Sequence, residues 1–514
     1  MPDAHIQDEL VASPARVAVQ TRYGPVTGGK AKNGAIVFLE IPYALPPGRF
    51  EDPKPLPLGY RYEAKEYIFE SAYGVQPLND GQAAGIPFSD KVGLGQPTEN
   101  PLFLNIFIPP AYPPQKSFPV KVYIHGGFLQ FGSPHSLSSQ AQFLAEGRDE
   151  VWVNIGYRLS AFGFLASDKH GLSGNYGFKD QWLALEWVKD NVASFGGDPT
   201  SIQISGLSAG AHSVHQLMHH ALTLPDGVPA PFTSAVLQSN AMLTNPKTPR
   251  ELRPQFKSLC RALGLDPDAE DVVEILKDPA RVPWASITKV IEDPENLLGL
   301  YGTFRGCLSE DWIQTSPRPM ERQRDGSFAR ELKKRGVAEE WYLYSIAHPI
   351  TSPDDLVPNL ERYFSSDLVA KLMKLDRGGE DVQRRFGELL SLVQVHLPVH
   401  ILARDLAASG FPVLRYQIRW TPPEVRPLGY VTHGTDRVLW ALRLPSMTEE
   451  QQAVARRWLD AIEEGRQKLA SGEGVIETDD QVLILDHDTT VKWEKEEQEV
   501  RERYERAVRE LGFT

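Results

Sequence analysis

The stretch Ile202-Gln203-Ile204-Ser205-Gly206-Leu207-Ser208-Ala209-Gly210 restricts the fold of this chain more than any other. Ile202 to Ser205 reads as a short buried strand, and a helix must begin just after Ser208. Between them lies a G-x-S-x-G pattern, which carries meaning only in a strand-to-helix context. Such a corner forces unusual backbone angles on the serine and crowds its neighbours, so small residues must flank it. Gly206 and Gly210 meet that need. A serine hydroxyl is a poor nucleophile at neutral pH and needs a base beside it and a fixed, exposed position. The pattern predicts Ser208 as that nucleophile.

Upstream, Val120-Lys121-Val122-Tyr123-Ile124 reads as a strand running into His125-Gly126-Gly127. Glycines let the backbone come close and turn its N–H groups inward. Preorganised N–H groups are the best stabilisers of a developing oxyanion. Gly126, Gly127 and Ala209 are the predicted donors.

Around these two segments the pattern alternates. Residues 102–108, 150–154 and 413–418 read as strands, and residues 178–194 as a helix. The expectation is an α/β fold: a central, mostly parallel sheet with helices on both faces. Residues 17–44 suggest short strands with a turn at Gly28-Gly29. Residues 245–300 suggest an insertion, and residues 360–410 are mainly helical. Helices at 449–471 and 492–511 are heavily charged and read as solvated outer faces. Residues 1–15 are polar and expected to be flexible, leaving one domain over 16–514 with long insertions.

Of 514 residues, 41% are hydrophobic and 24% charged, enough apolar material for a large core. The net charge of −13 argues against nucleic acid and anionic membranes as partners. Two cysteines, Cys260 and Cys307, make no disulfide scaffold and are read as buried thiols. The first residues lack a basic region followed by an apolar run, and no segment reads as a membrane span. The expected location is cytoplasmic. No phosphate loop or nucleotide fingerprint occurs, and His215 and His219, four apart without H-E-x-x-H, read as packed helix histidines. No metal or cofactor is expected.

Beyond these features the sequence resembles the type-B carboxylesterases, the family of cholinesterases and fungal lipases. The resemblance rests on Phe195-Gly196-Gly197-Asp198-Pro199 followed by Ile202, Ile204 and Gly206 to Gly210. It extends to Gly174-Asn175-Tyr176-Gly177, Asp180-Gln181, Trp187-Val188, Ile41-Pro42-Tyr43-Ala44, Arg49-Phe50 and Gly156-Tyr157-Arg158-Leu159. It implies the α/β-hydrolase fold and a serine esterase. The family's histidine lies in a late H-G-x-[DE] segment, here His433-Gly434-Thr435-Asp436. Order alone could not select it among 13 histidines. The resemblance also implies two structural ion pairs, Arg49 with Glu99 and Arg158 with Asp180.

Three departures stand out. Leu207 occupies a position where the family often has glutamate, which disfavours a cationic, choline-like substrate. Glu99-Asn100-Pro101-Leu102 lacks the family's cysteine, in keeping with a reducing compartment. The triad acid is the third. The best match is Glu340, but residues 329–335 are too charged for a central strand. If the strand is instead 341–347, Asp354 or Asp355 follows it. The expected activity is cleavage of carboxylic esters of small molecules through an acyl-enzyme, with Ser208, Glu340 and His433 as triad. The alternatives are a non-catalytic cholinesterase-like binding protein, and an amidase or lactonase using the same site. Substrate identity and oligomeric state are not legible.

Overall fold

The computed structural model describes residues 4–78, 86–296, 298, 304–335, 338–342, 353–361, 364–376, 378, 382–426, 429, 431, 433–471 and 481–513. The chain forms two compact units. One comprises Met1–Ser234 and Pro246–Ser316, the other Ala235–Asn245 and Pro317–Thr514.

The first unit holds strands β1 (Arg16–Thr21), β2 (Gly24–Lys30), β3 (Ile36–Pro42), β4 (Phe103–Ile108), β5 (Phe118–Ile124), β6 (Val151–Ile155) and β7 (Gly197–Leu207). They lie in the order β1-β2-β3-β4-β6-β5-β7. Pairing is antiparallel from β1 to β6 across β2, β3 and β4. It is parallel for β6–β5 and β5–β7. The sheet is therefore mixed, with parallel pairing where the candidate site lies. β4 is buried at every position and β5 at all but one, as strands covered on both faces must be. Helices α1 (Tyr176–Asn191) and α2 (Ala209–Ala221) pack on β7.

Two local expectations change. Gly28-Gly29 lies inside β2 and makes no turn. A Cβ on Gly28 would sit 2.5 Å from the Val37 carbonyl oxygen, so this glycine permits close approach of β3. Ile6–Ala12, expected to be flexible, is a helix with Ile6 and Leu10 buried. Leu10 packs over Gly29 beside Ile68, and His5 Nδ1 lies 2.7 Å from the Glu70 carboxylate.

The strand β8 (Ser234–Gln238) is wholly buried. In the second unit, β9 (Ala338–Tyr342) pairs parallel with β10 (Val413–Ile418), and β10 parallel with β11 (Gln481–Leu485). β11 turns back into β12 (Val491–Lys495), where the sequence suggested that the last helix had begun. The alternation in Val491–Lys495 prevails over its charge, and the helix starts at Gln498. The helix Glu449–Ser471 is not a wholly solvated face: Val454, Ala455, Trp458, Leu459 and Ile462 are buried along one stripe.

Among the described residues one run, Arg385–Ala408, is long and apolar enough to cross a membrane, contrary to the sequence reading. Its most apolar stretch is 78% buried, and it packs on β10 and on the helix Gln498–Leu511, as a core helix does.

Candidate active site

Ser208 stands between β7 and α2 with φ 59° and ψ −121°, in a region costly for any residue with a Cβ. The helix behind it holds the strain: the His212 N–H donates to the Ser208 carbonyl at 3.0 Å. The flanking glycines are sterically required. A Cβ on Gly206 would lie 2.3 Å from the Gly210 carbonyl carbon, and one on Gly210 would lie 2.1 Å from the Ile124 oxygen. The register Gly206↔Ile124 in the β5–β7 pair brings the His125-Gly126-Gly127 loop onto the same corner.

There the Gly126 backbone meets the Ser208 corner. A Cβ on Gly126 would lie 2.5 Å from the Leu207 oxygen and 3.1 Å from the Ser208 Cβ. Gly127 has φ 110°, and its carbonyl accepts from the Gln130 and Phe131 N–H groups at 2.8 and 2.9 Å. Ala209 is the first residue of α2, so its N–H is among the helix's unpaired N-terminal donors. Ser208 is 8% exposed.

Under this corner lie two groups without an assigned role in the sequence reading. The His125 and Tyr157 rings stack at 4.5 Å, and the Tyr157 hydroxyl donates to the His125 carbonyl at 2.9 Å. Burial lowers the His125 pKa to about 4 and so keeps the ring neutral. Both implied ion pairs are present. Arg158 forks onto Asp180 at 2.8 and 2.6 Å, with both residues buried. Arg49 bonds Glu99 through Nε at 2.7 Å and through Nη2, and its Nη1 caps the carbonyls of Leu276 and Val282.

In the second unit, His433 opens the turn 433–436, half-buried. Gly434 has φ 77°, and its carbonyl accepts from the Arg437 N–H at 3.0 Å. Burial pulls the His433 imidazole down to about 3 and raises the Asp436 carboxyl to about 6. Asp436 accepts from Trp440 Nε1 at 3.0 Å, which anchors the end of the turn.

Glu340 is the third of five residues in β9, in register with Leu414, rather than beyond a strand end. Helix Ser327–Lys334 occupies the charged stretch before it. The Glu340 side chain and residues 343–352 lie outside the described residues. Asp354 is exposed in the turn Pro353–Asp355, and the Asp355 side chain also lies outside them.

His215 and His219 are buried with rings 4.9 Å apart, and among the described residues no trio of metal-ligating side chains gathers. Cys260 and Cys307 are buried and free. Burial pushes both thiols up to about 12.

Residues 15–296 match the model of the carboxylesterase family. An uncharacterized esterase/lipase of Schizosaccharomyces pombe is 28% identical over 497 residues, which cover 88% of this chain and 88% of that protein. A carboxylic ester hydrolase of Gibberella moniliformis is 29% identical over 487 residues, 85% of this chain and 84% of its own. Among solved structures a PNB esterase aligns with a TM-score of 0.71 at 24% identity, covering 95% of this chain and 99% of its own. Its likeness establishes the α/β-hydrolase fold. With a strained serine pressed against a glycine loop, and a family match over more than half its length, this chain belongs to the carboxylesterase family and is a carboxylic ester hydrolase.

Proposed function

We propose that the chain cleaves esters in two steps through an acyl-enzyme on Ser208. The Ser208 oxygen attacks the ester carbonyl while the His433 imidazole takes its proton. The carbonyl oxygen gathers negative charge against the N–H groups of Gly126, Gly127 and Ala209. The carbon–oxygen bond to the alcohol then breaks, and the imidazolium returns its proton to the leaving oxygen. Water repeats the sequence on the acyl-enzyme, releasing the acid and the free serine. Glu340 is our choice for the carboxylate that orients His433. No metal or cofactor enters the steps.

The observation that carries this reading is the contact between Gly126 and the Ser208 corner, with no room for a Cβ between them. A donor loop packed that tightly against a strained serine serves attack on a carbonyl better than it serves binding alone. Leu207 brings no charge beside the nucleophile, so we expect neutral esters to be preferred over cationic ones. The free, buried thiols of Cys260 and Cys307 agree with a reducing, cytoplasmic setting.

Wild-type protein should turn over p-nitrophenyl esters and be labelled at Ser208 by a fluorophosphonate. Ser208→Ala should lose both. Turnover retained in that variant would overturn the assignment, and a folded wild type that resists the label would indicate a binding protein.

A further inference from the structure

Five consecutive carbonyls, from His125 through Leu129, each accept a hydrogen bond. The Tyr157 hydroxyl donates to His125 O at 2.9 Å, and His125 Nδ1 donates to Gly126 O at 2.9 Å. Gly127 O accepts from the N–H groups of Gln130 and Phe131, at 2.8 and 2.9 Å. Gln130 Nε2 donates to Phe128 O at 3.3 Å, and the Ser160 N–H to Leu129 O at 2.7 Å.

In a planar trans peptide the carbonyl and the following N–H point to opposite sides. Holding one therefore aims the other. The bond to His125 O sets the direction of the Gly126 N–H, and the bond to Gly126 O sets that of the Gly127 N–H. We propose that Tyr157 and His125 are positioning residues that aim the two glycine donors at the oxyanion, a proposal resting on Ser208 as the nucleophile.

Glycine peptides have little conformational preference of their own. A flip about either one would present a carbonyl oxygen to the developing negative charge in place of a donor. Two features guard against it. The neutral His125 ring carries one N–H, and a carbonyl partner places that hydrogen on Nδ1. The loop beyond is held in strain, since Phe128 and Leu129 have φ of 60° and 66°. Such angles persist only where the surroundings over-determine them. Gln130, fully buried, supplies part of that restraint and also donates to Phe304 O at 2.7 Å.

Tyr157→Phe removes one hydroxyl and keeps the ring stack. Losing an oxyanion donor outright costs roughly 10²–10³-fold in kcat, and a mis-aimed donor should cost about 10–100-fold. We expect kcat for p-nitrophenyl acetate to fall by that factor, with KM and Tm near wild type. Fluorophosphonate labelling of Ser208 should slow in parallel. His125→Asn keeps a donor nitrogen near the Nδ1 position, so it should retain more activity than His125→Leu. Wild-type kcat and labelling rate in Tyr157→Phe would overturn the proposal. Should Tyr157→Phe not fold, equal activities of the two His125 variants would overturn it. If wild type itself is not labelled at Ser208, the nucleophile assignment fails and takes this proposal with it. Normal labelling of Ser208 with an indifferent Tyr157→Phe would sink the positioning role alone.

Discussion

Arg158 gives Asp180 three hydrogen bonds, two from its guanidinium at 2.8 and 2.6 Å and one from its own backbone N–H at 3.0 Å. Arg158 is 3% exposed and Asp180 is fully buried. The planar fork matches the carboxylate in a way that lysine cannot. Deleting one member strands the other charge away from water, at a cost of about 3–5 kcal/mol. Arg158→Ala should therefore lower the melting temperature clearly, and Arg158→Lys should not restore it. A thermal scan in which Arg158→Ala melts with wild type would refute the bracing role.

Gly126→Ala tests the contact at Ser208, the proposed nucleophile. The added methyl would stand 2.5 Å from the Leu207 oxygen, a backbone atom that cannot swing aside. The loop must retreat from Ser208 and withdraw its proposed oxyanion donors. We expect a loss of at least about 10²-fold in kcat. Activity within a few-fold of wild type, measured on p-nitrophenyl acetate, would mean that the loop does not serve the oxyanion.

Burial draws the His433 pKa down to about 3. A carboxylate hydrogen-bonded to an imidazole raises its pKa. If His433 is the base, its neutral imidazole is the active form, and kcat/KM falls as pH drops through its pKa. If Glu340 is the partner, Glu340→Gln should cost on the order of 10²–10⁴-fold and move the acid limb to lower pH. A pH–rate profile identical to wild type would pass the role to Asp354 or Asp355, whose amide variants take the same test.

His5 ties the N-terminal helix through Glu70. Burial, the largest influence on its pKa, lowers it, but the Glu70 hydrogen bond and the charges of Glu70, Asp90 and Asp8 together raise it above 6.5. A folded pKa above the unfolded one stabilises fully below about pH 6.5, and the gain is lost as pH rises through the folded value. Wild type should thus melt higher than His5→Gln near pH 6, with the gap closing toward pH 9. A gap that stays constant across that range would show that the pair contributes nothing through charge.

The corner at Ser208 was legible because its requirements are local: a buried strand, a helix start, and glycines where a Cβ would strike backbone. The same holds for Gly126 and Gly127, and for the strands Phe103–Ile108 and Val413–Ile418, whose apolar runs need no partner to be recognised. What failed to read depends on distant neighbours. Gly28 resembles a turn until Val37 is laid beside it. Leu10 has a purpose only once Gly29 and Ile68 lie beneath it. The acid stayed open because β9 is short and follows a charged helix, so no long apolar run marks where its strand ends. Tyr157 was legible as one residue of the stretch Gly156-Tyr157-Arg158-Leu159, never as a handle on the His125 carbonyl.

Trp440, four residues beyond Asp436, closes a trio with Tyr416 and Trp458, the ring centres 5.3 to 5.9 Å apart. Its indole N–H is bonded to the Asp436 carboxylate, in the turn that begins at His433. Indole emission responds to the polarity and charge around it, so the segment carrying His433, the proposed base, has an optical reporter built into its own anchor. A change in the Asp436 turn should then register in tryptophan fluorescence, without an added dye.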